Sequence, residues 1–285
     1  MMPAAAVSPA AALWRRLRRN RHTAIGGLVF LALVVVALLA PVVDHTDLYM
    51  MQPQVALWPP SRGHWFGTDE FGRDLLTRVL HGARLTLGVA LVAVAMACGL
   101  GVLVGLIAGY YGGWLDLCLM RLVDLMLAFP GILLALAIVA ILGPGLSNAM
   151  IAVGITGIPS YARVIRAAVL QAKAFLYVEA ARAVGVSAPA ILARHVLPNV
   201  TAPIIVLSTL NVAGAILTAA SLSFLGLGAQ PPQPEWGALL NAGRNWLSRA
   251  WWLMTFPGLA IMIAVLAVNT LGDGLRDVLD PRLRA

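Results

Sequence analysis

The chain has 285 residues, 60% of them hydrophobic and only 11% charged, with a formal net charge of +8. Soluble domains carry about 25% charged residues, and no soluble fold of this length hides so much apolar surface, so the default is an all-α polytopic membrane protein. In such a protein a positive balance reads as orientation bias, not as a nucleic-acid site.

Residues 1–22 read as a tail, Ala-rich and expected to be disordered as far as Ala12, with Arg15, Arg16, Arg18, Arg19 and Arg21 before the first apolar segment. That segment, Thr23 to Val43, has no charge. It is longer than the 7–15-residue core of a secretory signal and ends at Pro41 without a small-residue cleavage site, so it reads as a retained first helix. A linker over 44–84 follows, with Trp, Pro, Gly and the acids Asp44, Asp47, Asp69, Glu70 and Asp74. Thr68 or Asp69 is a candidate cap for a helix starting near Glu70, and Arg73, Asp74, Arg78 and Arg84 are candidates for pairing across an outer surface.

The remaining apolar segments fall in a core over 85–275: Leu85 to Tyr110, Leu125 to Gly143, Leu146 to Ala162, Val200 to Phe224, and Ala250 to Gly272. A crossing needs about 20 apolar residues. The Leu146 segment is marginal, short and interrupted by Ser, Asn, Thr, Gly and Pro, and fits only inside a bundle. Gly99, Gly101, Gly105 and Gly109 allow close helix packing. Asn148, Asn211 and Asn269 are candidates for interhelical hydrogen bonds. Asp124, with Asp116 and Arg121, reads as a local salt bridge or helix-start acid. Cys98 and Cys118 read as small buried residues. A tail over 276–285 closes the chain.

With six crossings and the N-terminus inside, fourteen of the 20 Lys and Arg fall inside; Arg62, Arg73, Arg78, Arg84, Arg244 and Arg249 fall outside. The bias puts both termini, and the polar loop over 171–199, in the cytoplasm. The 225–249 loop is then external, and Trp236, Trp246, Trp251 and Trp252 suit an interfacial belt at that face.

The 171–199 loop contains YVEAARAVGVSAPAILARHVLPN, Tyr177 to Asn199. Tyr177 to Val184 reads as a helix with Glu179 near its positive end. The small Ala180 and Ala181 let another surface approach. Gly185 ends the helix in a left-handed conformation. Ser187 then caps a second helix from Ala188 to about Val196, with Pro189 in its first turn, ending before Pro198. The outcome is a compact knob suited to a groove on another protein; the plainer alternative is an ordinary amphipathic loop.

The only lysine, Lys173, follows Ala172, so no GxxxxGK phosphate loop exists, and HExxH and GxSxG are absent. His22, His45, His64, His81 and His195 are scattered, which argues against a membrane-embedded enzyme. A stand-alone ion-coupled transporter needs an ionisable group at mid-membrane, and the confidently assigned spans have none.

Glu179-Ala180-Ala181, three residues, Gly185, then Leu197-Pro198 resembles the EAA loop of ABC-importer permeases. The departure at His195, two before Leu197, resembles the peptide-importer branch. HWFGTDEFGRDLLTRVLHGARLTL (His64 to Leu87), YYGGWLDLCLMRLVDLMLAFP (Tyr110 to Pro130) and SLSFLGLGAQPPQPEWGALL (Ser221 to Leu240) resemble C-type permeases of dipeptide, oligopeptide and nickel importers. The resemblance implies a type I importer bundle of six transmembrane helices in a bacterial inner membrane. Glu179, Ala180, Ala181, Gly185, Leu197 and Pro198 would be the ATPase-coupling residues. Implied partners are a second homologous permease, two ATP-binding-cassette subunits, an external substrate-binding protein and membrane lipid. ATP and Mg would sit on the ATPases, with no cofactor in this chain. The implied cargo is a di- or oligopeptide; the same scaffold also serves nickel, glutathione and other small solutes.

Overall fold

The described residues, 21–43 and 48–279 of a computed structural model, open on an apolar helix, α1 (Arg21–Val43). The Ala-rich start and the extreme tail lie outside the described residues. The long α2 (Leu75–Tyr111) follows, then a broken pair, α3 (Gly113–Leu127) and α4 (Gly131–Leu142), then α5 (Leu146–Lys173). Two short helices, α6 (Leu176–Ala183) and α7 (Ala188–Ile191), lead through a π-helical turn (Leu192–Val196) into α8 (Leu197–Phe224). The short α9 (Trp236–Gly243) and the long α10 (Trp252–Leu279) complete the fold. Apart from one isolated bridge between Thr68 and Asp74, the regular structure of the described residues is helical.

Among the described residues, four helical stretches are long and apolar enough to cross a membrane: His22–Ala40, Leu75–Tyr111, Ala188–Phe224 and Trp252–Val278. The third apolar segment of the sequence is not one straight helix. α3 and α4 meet at 94°, and only counted together do they make a fifth candidate crossing. Pro130 explains the break: it has no N–H to continue the ladder, and its ring disfavours helical geometry at Phe129. α5 is long but too polar to qualify by composition, in line with the marginal reading of its sequence.

Packing follows the small residues. Gly101, Gly105 and Gly109 lie four apart on one face of α2. A Cβ built there would sit 2.5 Å from Tyr161 Cβ, 2.7 Å from Ala162 O and 2.8 Å from Val169 Cβ respectively, all on α5. The fourth glycine considered, Gly99, faces open space. α1 docks on α10 in the same way, Gly26 against Thr270 and Gly274 against Thr23. α8 runs between α2, α5 and α10. Many large apolar side chains remain outside, including Ile141, Leu103 and Leu266, as expected of a surface solvated by lipid or a partner rather than water. Cys98 and Cys118 are free thiols and half-buried, not fully buried.

Candidate functional site: a polar knob at one end and a tied cap at the other

The knob forms where the EAA-like residues lie. α6 ends on Gly185 (φ +81°) in a Schellman arrangement. The Val186 amide donates to Ala181 O (3.1 Å) and the Gly185 amide to Arg182 O (3.0 Å). Ser187 occupies the cap position of α7 but makes no side-chain cap bond. The second helix does not stop before Pro198. The chain continues through the π turn, in which the Leu197 amide reaches back to Leu192 O, straight into α8. Pro198 would normally clash with the carbonyl four residues earlier; widening the preceding turn relieves that conflict and keeps the helix whole. The second helix of the knob is therefore continuous with α8.

Val178, Ala181, Ile191 and Val196 face inward and form one apolar cluster with Tyr110 of α2 and Ile165 and Val169 of α5. Glu179, Ala180, Gly185 and Pro198 are exposed, and Leu197 is half-buried. Leu176 and Val184 stand 83% and 79% exposed beside Glu179, an apolar pair that the knob's own fold leaves uncovered. The ends of the motif are tied: Asn199 Nδ2 donates to the Tyr177 hydroxyl (2.8 Å) and to His195 O (2.5 Å). His195 lies against the Tyr177 ring, a structural position. Arg182 lies over the Tyr110 ring, while Lys173 donates to Tyr110 O (2.6 Å), so α6 and the end of α5 both grip the last turn of α2.

At the start of α2, the strings 64–87 and 221–240 fold against each other. The helix begins at Leu75, capped by Asp74, whose carboxylate accepts from the Thr77 amide (3.0 Å) and pairs with His64 Nδ1 (2.8 Å). The start near Glu70 expected from sequence is a turn instead. Asp69 holds it, accepting from the Phe71 and Arg73 amides and pairing with Arg73 Nε (2.6 Å). Arg73 and Arg78 are buried rather than spread across an outer surface; Arg78 also reaches Leu48 O and Pro232 O. Trp236 and Trp252 are not belt residues either. Both are buried and donate their indole N–H groups, to Val79 O (2.9 Å) and Thr68 O (3.1 Å). Trp246 is half-buried and Trp251 half-exposed.

Glu235, 1% exposed, caps α9 by accepting from the Ala238 amide (3.0 Å), and it accepts the Thr86 hydroxyl proton (3.1 Å). Thr86 in turn accepts from the Trp236 amide. Burial pushes the Glu235 carboxyl up, against the opposing effect of these hydrogen bonds. A raised folded value means the protonated acid favours folding. That contribution is complete below the ordinary carboxyl range and is lost as pH rises through the folded value. Glu235→Gln is expected to keep the thermal midpoint in detergent and flatten its pH dependence in that window. Thr86→Val, which orphans the buried Trp236 amide and removes one donor from Glu235, is expected to cost about 1–3 kcal/mol.

The comparisons with known proteins fit this architecture. Residues 101–285 match the model of the binding-protein-dependent transport system inner membrane component, and residues 8–60 match the N-terminal TM domain of oligopeptide transport permease C. The chain belongs to the binding-protein-dependent inner-membrane permease family. It is 46% identical to the dipeptide transport system permease protein of Alkalihalophilus pseudofirmus, over 98% of this chain and 92% of that one. It is 47% identical to the di/tripeptide transport system permease protein of Pseudomonas aeruginosa, over 97% and 93%. It is 45% identical to the glutathione transport system permease protein of Pectobacterium atrosepticum, over 95% and 91%. A solved structure of the MetNI methionine ABC transporter in inward-facing conformations has the same fold, with a TM-score of 0.58 at 20% identity, covering 72% of this chain and 96% of that one.

The acids of α3 in this permease pair across helices, not locally. Asp116 takes both forks of Arg166 (2.5 and 2.6 Å), and Asp124 takes Arg163 (2.7 Å), both from α5. One turn of spacing on α5 thus matches two turns on α3, which crosses it. Sequence reading looked for a partner within α3 and missed these pairs, although an i, i+3 basic pair on a polar helix was a usable signal. Asp116→Arg alone is expected to lower the thermal midpoint of the detergent-solubilised permease. Combination with Arg166→Asp is expected to recover most of the loss, with a coupling energy of about 1 kcal/mol for a partly exposed pair. Asn148 Nδ2 donates to Leu142 O and Gly143 O, closing the end of α4 onto α5.

Proposed function

We propose that this chain is one of two permease subunits of an ATP-driven importer and that it carries di- or oligopeptides across the bacterial cytoplasmic membrane. The observation that carries the reading is identity of 46–47% over nearly the whole chain to relatives named as dipeptide and di/tripeptide permeases. In this reading α5 is the additional crossing that makes six, held inside the bundle by the α2 glycine seam. Both termini and the knob are cytoplasmic, and the cap over 48–74 and 225–249 faces the external binding protein.

The knob is read as the coupling element. Glu179, Ala180 and Gly185 form its contact surface, with Leu176 and Val184 as apolar anchors for a groove on an ATPase subunit, while Ala181, expected at that surface, is buried beneath it and holds the helix on the bundle. Leu197 and Pro198 carry the push into α8 without a joint. ATP and Mg are bound and used by the partner subunits; this chain supplies the path. The second reading is glutathione, favoured by the 45% identity to the glutathione permease of P. atrosepticum.

The test is to tag the chain, extract native membranes gently and identify what co-purifies. A second permease and P-loop ATPases are expected, and the solute retained by the associated binding protein names the cargo. Repeated recovery of the chain alone would overturn the reading in favour of a self-sufficient transporter.

A further inference from the structure

A cavity of about 210 Å³ opens between α2, α4, α5 and α8. Its wall contains no charged residue: Gly131, Gly157 and Gly214 contribute backbone, and Thr156, Asn211 and Thr218 contribute the polar side chains. The two hydroxyls spend their protons on their own helices, Thr156 on Val153 O and Thr218 on Gly214 O (both 2.9 Å). Each oxygen therefore keeps acceptor capacity. Asn211 differs. It stands midway along α8, and its buried carboxamide nitrogen makes no hydrogen bond of good geometry among the described residues, although its side chain lies within reach of the Tyr161 hydroxyl. The neighbouring Tyr161 hydroxyl gives its proton to Ser208 Oγ (3.1 Å).

An unsatisfied amide at mid-membrane depth is costly, and polar residues there ordinarily tie helices together. Asn211 approaches the Tyr161 hydroxyl of α5 without forming a well-aligned bond, and it borders the cavity. A wall with amide donors, hydroxyl acceptors and no charge complements what all peptides share, the backbone amide and carbonyl, whatever their side chains. Neutral hydrogen bonds of about 0.5–1.5 kcal/mol each orient a passing group without trapping it, as conduction requires.

We infer that this wall is the chain's part of the translocation path and that Asn211 donates a transient hydrogen bond to a substrate carbonyl. The inference rests on the peptide-importer reading above. The test uses the complete importer in proteoliposomes, with alanylalanine as cargo. Asn211→Leu is expected to lower uptake about threefold to tenfold while ATPase stimulation by the binding protein persists; unchanged uptake would overturn the role of Asn211.

Independently of uptake, Asn211→Cys and Thr218→Cys are made in a Cys98→Ala, Cys118→Ala background. Both are expected to react with the anionic reagent sulfonatoethyl methanethiosulfonate during turnover, and to react more slowly with excess dipeptide. Leu266→Cys, on the exposed apolar surface, is the unreactive control. Cavity cysteines as unreactive as this control, in an importer that still takes up dipeptide, would overturn the assignment of the wall. If they react but the importer carries only a non-peptide solute, the peptide reading fails and the assignment of the wall to the translocation path stands.

Discussion

Gly185→Val is expected to reduce ATP-coupled transport at least tenfold while leaving the chain folded. The residue sits at φ +81° on an exposed turn, and a Cβ there would meet nothing within 4 Å. No clash therefore operates; the cost is conformational. A β-branched residue in the left-handed region costs about 1–2 kcal/mol, enough to swing the turn out of that region and break the paired bonds to Ala181 and Arg182. The cluster of Val178, Ile191 and Val196 remains to hold α6 and α7 on the bundle, so the loss appears as altered presentation of Glu179 and Val184 rather than as unfolding. Gly185→Asn, which tolerates positive φ, is expected to retain most transport. Uptake and ATP hydrolysis, measured together with size-exclusion behaviour in detergent, check this. Equal uptake by wild type and Gly185→Val would remove the knob from the coupling mechanism, and equal loss in the Val and Asn variants would show that bulk, not backbone, matters.

Gly105→Leu is expected to abolish recovery of folded protein. A Cβ at this position would lie 2.7 Å from Ala162 O and 2.9 Å from Ile165 Cβ. Two of the contacted atoms, Ala162 O and Arg166 N, belong to the backbone of α5, so no rotamer change relieves the overlap. The two helices must separate. Because Gly101 and Gly109 pack in the same seam, separation at one opens all three. Even a single added methyl in a tight core costs about 1–3 kcal/mol, and a leucine adds three more heavy atoms. Gly99→Leu, which faces open space, is expected to behave like wild type. Monodisperse elution of a fluorescently tagged detergent extract discriminates the two, and normal elution of Gly105→Leu would mean that the α2–α5 seam does not hold the bundle together. This seam also explains how α5 is held in the bundle: its face of Tyr161, Ala162, Ile165 and Val169 lies against the α2 glycines.

Much of this was legible in the amino-acid sequence because it depends on local chemistry. The uncharged runs around Thr23, Leu85, Val200 and Ala250 became long helices because apolar periods of that length have no other stable form in a bilayer. Gly185 became a left-handed helix end because few other residues adopt that backbone without cost. The family was legible in the strings around Glu179 and His64. Pro130 was in plain view as well, but an apolar run of the right length concealed the 94° elbow it produces.

What the sequence by itself determined was the class of molecule, the position of the knob and its glycine helix end, since composition and turn chemistry act over a few residues. Only the tertiary structure decided where polar groups found partners. Asp116 met Arg166 rather than Arg121, Trp236 and Trp252 turned inward to backbone carbonyls, Glu235 met Thr86 across 149 positions, and Pro198 was carried within a continuous helix by a π turn. A hydrogen bond or ion pair requires a partner within about 3 Å, and which residues come that close is settled by how helices cross, which no local pattern encodes. The poorly satisfied amide of Asn211 belongs to the same category: it became visible only once the surrounding helices had left it beside a cavity.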